Sequence, residues 1–297
     1  MDIKTVAVIG AGTMGRGIAY AAAAGGYRTI LEDVSAPMIE AGLRSIRESF
    51  EQGVSRGKVT SRQRDHALAQ LGSASSVEDA AREADLVIEA VPEEMKLKLE
   101  IFEALEKSAR PDAIFASNTS SLSVTELAAV TSRPERCIGM HFFNPVPKMK
   151  LLELVRGLET SPDTIEECKE AGRRMDKEVV VVREAPGFIT SRVNAMIGNE
   201  AFYMLEQGIA TPEDIDKALK LGLNHPMGPF ELGDLIGLDV RLSILEYLHR
   251  TLGDKYRPCP LLRQYVKAGR LGRKTGRGVY DYPEAGASAA GGEKAKT

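Results

Sequence analysis

The chain has 297 residues, enough for about two domains that each bury a core without disulfide staples. Hydrophobic residues make up 43% and charged residues 27%, an ordinary globular balance, and a net charge of -3 gives no electrostatic reason for a nucleic-acid or anionic-membrane partner. The three cysteines, Cys137, Cys168 and Cys259, are far apart and form no CxxC or CxxH pair, which argues against a disulfide framework or a zinc site and for a reducing compartment. No charged-then-apolar leader precedes the first strand-like run, and no apolar run approaches about 18 residues. The expectation is a cytoplasmic protein that holds no metal.

Lys4-Thr-Val-Ala-Val-Ile-Gly10 is a β-branched run that stops at Gly10-Ala-Gly12-Thr-Met-Gly15, and a small-residue helix follows. Strand, glycine turn and helix come in the order a dinucleotide fold needs. Gly10 makes the tight turn, Gly12 lets the backbone approach a pyrophosphate, and Gly15 lets the helix pack close on the strand, with the helix N-terminus aimed at the phosphates. A second strand, Arg28-Thr-Ile-Leu-Glu-Asp33, ends in an acid about 20 residues after the turn. An acid there accepts bonds from ribose hydroxyls and repels a 2′-phosphate, so Asp33 points to NAD rather than NADP; Glu32 beside it is the other candidate.

Residues 36 to 70 read as a helix-turn-helix excursion from the nucleotide fold, rich in Arg and Lys. Such a basic face is ordinarily a solvated one, but a phosphate-bearing substrate such as a coenzyme A thioester would use it, with Lys58 the first candidate. The nucleotide fold resumes at Ala84-Asp-Leu-Val-Ile-Glu-Ala-Val-Pro92, followed by a helical pattern over 93 to 109. Glu93 and Lys98 fall near a strand end, where such sheets place ligand groups, although as helix-surface charges they need no explanation. The next strand runs out at Ser117-Asn-Thr-Ser-Ser121. Asn118, Ser120 and Ser121 can cap the helix that follows, and a strand end beside the nicotinamide is also where a substrate oxygen needs donors.

Cys137-Ile-Gly-Met-His141 and Leu151-Leu-Glu-Leu-Val155 are two short apolar runs separated by Asn144, Pro145 and Pro147, which forbid a continuous strand or helix. Two strands joined by a bend would bring His141 to Glu153. A histidine held by a carboxylate is a proton-transfer pair tuned near neutral pH; the plainer reading is a surface histidine and an unrelated glutamate. A helix from Ser161 and the strand Glu178-Val-Val-Val-Val182 complete the first domain, and Arg183-Glu-Ala-Pro-Gly187 is the join. Residues 188–207, 212–221, 229–236, 238–251 and 261–268 read as helices bounded by Gly and Pro. The fold class is therefore α/β: a Rossmann-type domain over 1–183 with its helical excursion, an all-α domain over 184–283, and a tail over 284–297 too poor in apolar residues to order itself.

The motifs Gly10-x-Gly12-x-x-Gly15, Ser117-Asn-Thr-Ser-Ser-Leu122, His141-Phe-Phe-Asn-Pro-Val-Pro147, Ala185-Pro-Gly-Phe-Ile189, Asn224-His-Pro-Met-Gly-Pro229 and Gly272-Arg-Lys-Thr-Gly276 stand in one order along the chain. Together they resemble the 3-hydroxyacyl-CoA dehydrogenase family, over residues 3 to 282. The resemblance implies an NAD-dependent oxidoreductase interconverting 3-hydroxy and 3-oxo acyl-CoA thioesters, with short chains favoured. It implies that His141 is the catalytic base, that Glu153 orients it, and that Ser120 binds the substrate oxygen. Asn144, Glu93, Lys98 and Lys274 match cofactor-contacting positions, and Asn118 sits on the same serine-rich strand end. The helical domain implies a homodimer and a closing substrate cleft. Where many members carry asparagine this chain has Ser191, a shorter donor, with Asn194 nearby; Ser191 is thus a substrate-site candidate. His225 falls in a structural motif, while His66 and His249 lie in helical surroundings. The fold leaves room for a 3-hydroxyadipyl-CoA or sugar-acid substrate, or for NAD binding without turnover. A lysine-based hydroxyacid dehydrogenase is disfavoured by the His/Glu pair.

Overall fold

The computed structural model describes residues 2–282, so the tail expected to be disordered lies outside the described residues. The chain divides into two compact units, Met1–Phe188 and Ile189–Thr297. The division falls after Phe188, one residue past the Arg183-Glu-Ala-Pro-Gly187 join, and Phe188, 4% exposed, packs with Val124, Val155 and Val182 of the first unit. Just before it, the Glu184 carboxylate accepts hydrogen bonds from Ser123 Oγ, Thr125 N and Thr125 Oγ1 at 2.6, 2.7 and 2.8 Å. Residues 184 to 188 are therefore held by the first unit.

That unit begins with β1 (Thr5–Ile9), α1 (Thr13–Ala24) and β2 (Arg28–Glu32). The excursion resolves into α2 (Ala36–Ser55) and α3 (Ser61–Ala69), broken by the positive φ of Gly57 and restarted by a Thr60/Gln63 capping box. β3 (Leu71–Ala74) and α4 (Val77–Ala81) follow, neither of them legible as a separate element in the sequence. β3 reads Leu-Gly-Ser-Ala, without the β-branched run that marks a strand, and exists because β2 offers it a parallel edge. Next come β4 (Leu86–Glu89), α5 (Met95–Ser108), β5 (Ile114–Ser117), α6 (Val124–Ala128), β6 (Cys137–Phe142), β7 (Leu151–Arg156), α7 (Pro162–Arg174) and β8 (Glu178–Arg183).

These strands form one eight-stranded sheet in the order β3-β2-β1-β4-β5-β6-β7-β8, parallel except for the β6–β7 pair. Side chains alternate across it. Val6, Val8, Leu86 and Ile88 face a core completed by Ile18 of α1, Ile46 of α2 and Ala171 of α7. Ala7, Ile9, Val87 and Phe115 face a second core with Ala80 of α4, Phe102 of α5 and Leu127 of α6. Burial on both faces explains why β1 and β4 read as unbroken apolar runs. Because β1 lies between β2 and β4, the chain leaves it in opposite directions, and such a reversal opens a crevice at the strand carboxyl ends.

The second unit consists of α8 (Thr190–Glu206), α9 (Pro212–Gly222), α10 (Pro229–Ile236), α11 (Leu238–Leu252) and α12 (Pro260–Lys267) around Phe202, Phe230, Leu245 and Leu248. Two buried carboxylates organise it. Asp216 accepts from Phe230 N and Glu231 N at 2.8 and 3.0 Å, and Asp234 from Val279 N and Tyr280 N, each at 2.9 Å. No helix among the described residues is long and apolar enough to cross a membrane.

Candidate active site

At the carboxyl end of β1 the three glycines differ in what surrounds them. Gly10 has φ +100°, and a Cβ there would lie 2.9 Å from Ala90 O at the end of β4. A Cβ on Gly15 would lie 1.7 Å from Gly10 O, so helix and turn touch through backbone alone. A Cβ on Gly12 would meet nothing within 4 Å, and Gly12 caps α1 without a side-chain hydrogen bond. The helix N-terminus thus presents free N–H groups beside open space, an arrangement that fits a dinucleotide pyrophosphate. Asp33 completes this end: its Oδ2 accepts from Ala11 N and its Oδ1 from Ser35 N, both at 2.9 Å. Glu32 is different. It is 2% exposed with Oε1 unpartnered, and burial, then the neighbouring Asp33 and Glu78, push its carboxyl up to about 7. Of the two acids, Asp33 is the one at the glycine turn.

A hydrogen-bonded network joins β4 to β5. Glu89, fully buried at the end of β4, accepts from Val91 N at 2.7 Å and Lys98 Nζ at 2.7 Å on Oε1, and from Ser117 Oγ at 2.6 Å on Oε2. Lys98 also lies 3.3 Å from Glu93 Oε2. Glu93 Oε1 in turn accepts from Thr119 Oγ1 at 2.6 Å, Ser120 N at 2.8 Å and Ser120 Oγ at 3.3 Å. Burial raises the Glu93 carboxyl, but Lys98 and the donors from Thr119 and Ser120 outweigh it and hold the group below the usual range. Of the two readings open to Lys98, the helix-surface charge does not hold: the residue is 1% exposed, and its ammonium is directed at Glu89, Glu93 and the Val91 carbonyl. Glu89 escaped notice in the sequence, although a carboxylate ending an apolar strand was the available signal.

The same strand end is tied to β6. Asn118 N donates to Glu89 O at 2.8 Å, and Asn118 Oδ1 accepts from Phe142 N at 2.9 Å, one residue past His141. The capping role open to Asn118, Ser120 and Ser121 falls instead to Ser123, whose Oγ accepts from Glu126 N at 3.0 Å. On the antiparallel pair β6–β7, His141 stands directly opposite Glu153. Nδ1 and Glu153 Oε2 are 2.8 Å apart, with the residues 6% and 1% exposed, and the rings of Phe143 and Phe188 lie 4.3 and 5.8 Å from the imidazole. A carboxylate on Nδ1 fixes that nitrogen as the donor and leaves Nε2 to exchange a proton.

Beyond the hairpin, Asn144 and Lys58 line one cleft of about 290 Å3 together with Arg16, Arg56 and Lys148. The sequence put Lys58 first in a basic stretch that also holds Arg56; Arg16 comes from α1 and Lys148 from the β6–β7 loop, and only folding brings those two in. The second unit carries the remaining candidates. Ser191 is half-buried in the first turn of α8, with Asn194 one turn on, its carbonyl accepting from Arg241 Nη1 at 2.9 Å. Lys274 Nζ donates to Asp239 Oδ2 at 2.7 Å, and His225 sits in the loop between α9 and α10, its N–H on Leu219 O at 3.3 Å. Among the described residues no cluster of His, Cys, Asp or Glu is arranged to hold a metal, and all three cysteines are buried and free.

The model for the NAD-binding domain of 3-hydroxyacyl-CoA dehydrogenases matches residues 5–185, and the model for the C-terminal domain of the same enzymes matches residues 187–282. A probable 3-hydroxybutyryl-CoA dehydrogenase of Bacillus subtilis is 50% identical over 285 residues, covering 96% of this chain and 99% of the relative. The 3-hydroxybutyryl-CoA dehydrogenase of Bradyrhizobium diazoefficiens is 50% identical over 281 residues, 94% of this chain and 96% of the relative. The crystal structure of the (S)-3-hydroxybutyryl-CoA dehydrogenase of Ralstonia eutropha superposes with a TM-score of 0.92 at 45% identity, covering 95% of this chain and all of that one.

Proposed function

This chain belongs to the 3-hydroxyacyl-CoA dehydrogenase family, and from that premise we propose that its working substrate pair is (S)-3-hydroxybutyryl-CoA and acetoacetyl-CoA. The chemistry is oxidation of a CH–OH group of an acyl-CoA with NAD as acceptor. The short acyl chain is supported by the substrates of the two 50%-identical relatives.

The observation that carries the mechanism is the buried His141–Glu153 pair at 2.8 Å. His141 Nε2 takes the proton from the 3-hydroxyl as C3 is oxidised, and returns it to the oxygen in reduction. Glu153, on Nδ1, keeps the ring in the required tautomer and stabilises the imidazolium. Bound NAD supplies the hydride acceptor. Ser120, held by Glu93, directs a hydroxyl at the substrate oxygen, while Lys98, itself anchored on Glu89, fixes Glu93. The turn closed by Gly10 and Gly15 receives the pyrophosphate at Gly12, and Asp33 the adenosine ribose; Asn118, Asn144, Glu93 and Lys274 serve the cofactor side, Lys98 acting through Glu93. Lys58 meets the phosphates of coenzyme A, and Ser191 the acyl end. We read the enzyme as a cytoplasmic homodimer; support for pairing is the exposure of Val193, Ile209, Leu221 and Leu223 on the helical unit, at 52, 63, 77 and 66%.

The test follows reduced-nicotinamide absorbance with acetoacetyl-CoA and a panel of longer and carboxylate-bearing 3-oxoacyl-CoA substrates. Acetoacetyl-CoA is expected to give the highest kcat/KM, and His141→Ala to lower it by about 10²- to 10⁴-fold. A faster adipyl-type substrate overturns the C4 assignment, and equal rates in the two proteins overturn the base.

A further inference from the structure

We infer that Lys177 is a positioning residue whose buried ammonium grips two carbonyls of the β6–β7 loop and so fixes the segment that carries Asn144. Lys177 lies between α7 and β8 and is 7% exposed. Its root is anchored by its own N–H on Gly172 O at 3.0 Å. Its Nζ donates to Val146 O at 2.6 Å and to Met149 O at 2.9 Å. Neither acceptor is a carboxylate, and the adjacent Asp176 pairs with Lys150 instead. Burial lowers the ammonium from its ordinary value, with Asp176 pulling it up and Lys150 pressing it down. Lys169, Arg173 and Glu178 line the same surface depression as Lys177.

A cation at this depth is a costly way to fill space. What it provides that a hydrophobe cannot is a pair of donors for a loop short of its own. Pro145 and Pro147 have no N–H, and inside the loop Lys148 N and Met149 N both turn to the single carbonyl of Pro145, at 2.9 and 3.0 Å. On the loop's other side Val146 is 2% exposed and pressed on α1, where a Cβ on Gly17 would lie 2.9 Å from Val146 Cβ. The loop is thus clamped between α1 and Lys177, and the clamp determines where Asn144 and Lys148 sit in the basic cleft.

This inference rests on the reading of Asn144 as a cofactor contact, so the experiment separates the two. NAD binding to the full chain is measured by calorimetry for wild type, Lys177→Met, Lys177→Arg and Asn144→Ala, with Tm recorded for each and the pH taken from 8 to above 10. Lys177→Met keeps the volume and removes the donors. It is expected to weaken NAD by about 5- to 10-fold with kcat at saturation little changed, while Lys177→Arg stays within about twofold of wild type. Wild-type affinity is expected to fall as Lys177 loses its proton, and Lys177→Arg to remain flat. Wild-type NAD affinity in Lys177→Met, whatever its Tm, overturns the inference. If Asn144→Ala alone weakens binding, Lys177 is refuted and Asn144 stands; if Lys177→Met alone does, the clamp stands and acts through other parts of the loop.

Discussion

At the β6–β7 hairpin one strand register places His141 opposite Glu153, whereas at the ends of β4 and β5 the residues Glu89, Glu93, Lys98, Ser117, Thr119 and Ser120 must converge from separate segments before one carboxylate is held. Register is a local property: once two strands pair antiparallel, cross-strand neighbours fall within about 5.5 Å whatever else the protein does. A network has no such guarantee. Each member is satisfied only if all the others arrive, so its geometry is exact when complete and costly when broken. The hairpin can therefore lose a partner and keep its shape, and the network cannot.

Lys98→Met is the severest way to break that contrast. It leaves Glu89 and Glu93 without their shared cation, and urea unfolding is expected to give a loss of about 3–5 kcal/mol. A loss below about 1 kcal/mol would mean that the two carboxylates hold themselves. Glu153→Gln tests the other side: the register survives, so stability should change little, while kcat falls by about 10- to 100-fold because the imidazolium loses its counter-charge. Comparable losses of stability in the two variants would erase the distinction.

Glu32 belongs to neither arrangement, a buried acid with one oxygen unpartnered, and it sharpens the comparison by showing what an unserved group costs. Its folded value of about 7 lies above the reference 4.5. The folded state therefore keeps a proton that the unfolded state gives up between those values, and stability falls as pH rises through that window. Glu32→Gln is expected to raise Tm at pH 8, by about 1–2 kcal/mol of stability, and to leave it nearly unchanged at pH 4.5. Equal gains at both pH values would rule out ionisation as the cause. The smallest effect is expected from Lys58→Ala in the open cleft, a rise in KM for acetoacetyl-CoA of about fivefold that shrinks with added salt.

The chain order of strand, glycine turn, helix and acid was legible because each step is local: a β-branched run, glycines where no Cβ fits, an acid at the next strand end. The bend between His141 and Glu153 was legible from the prolines, but a surface histidine beside an unrelated glutamate fitted the same pattern, and the ordered family motifs were needed to single the two residues out. β3 was not, since Leu71-Gly-Ser-Ala74 carries no strand signal of its own and takes its conformation from β2. For Lys98 the sequence left a ligand contact and a helix-surface charge both open until the family motifs favoured the contact, and its burial, at 1% exposed, is decided only in the folded chain. Arg56 already stood two residues from Lys58 in the basic stretch, but Arg16 and Lys148 were distant cations until the fold set them beside Lys58 and Asn144. Sequence by itself thus determined the fold class, the cofactor turn and the bend that lets His141 and Glu153 face each other, all properties of neighbours along a strand or across one turn of the chain. Tertiary structure decided which charges are buried, what Lys98 and Lys177 hold, and where the join between the units falls, because burial and long-range hydrogen bonds exist only when distant segments pack.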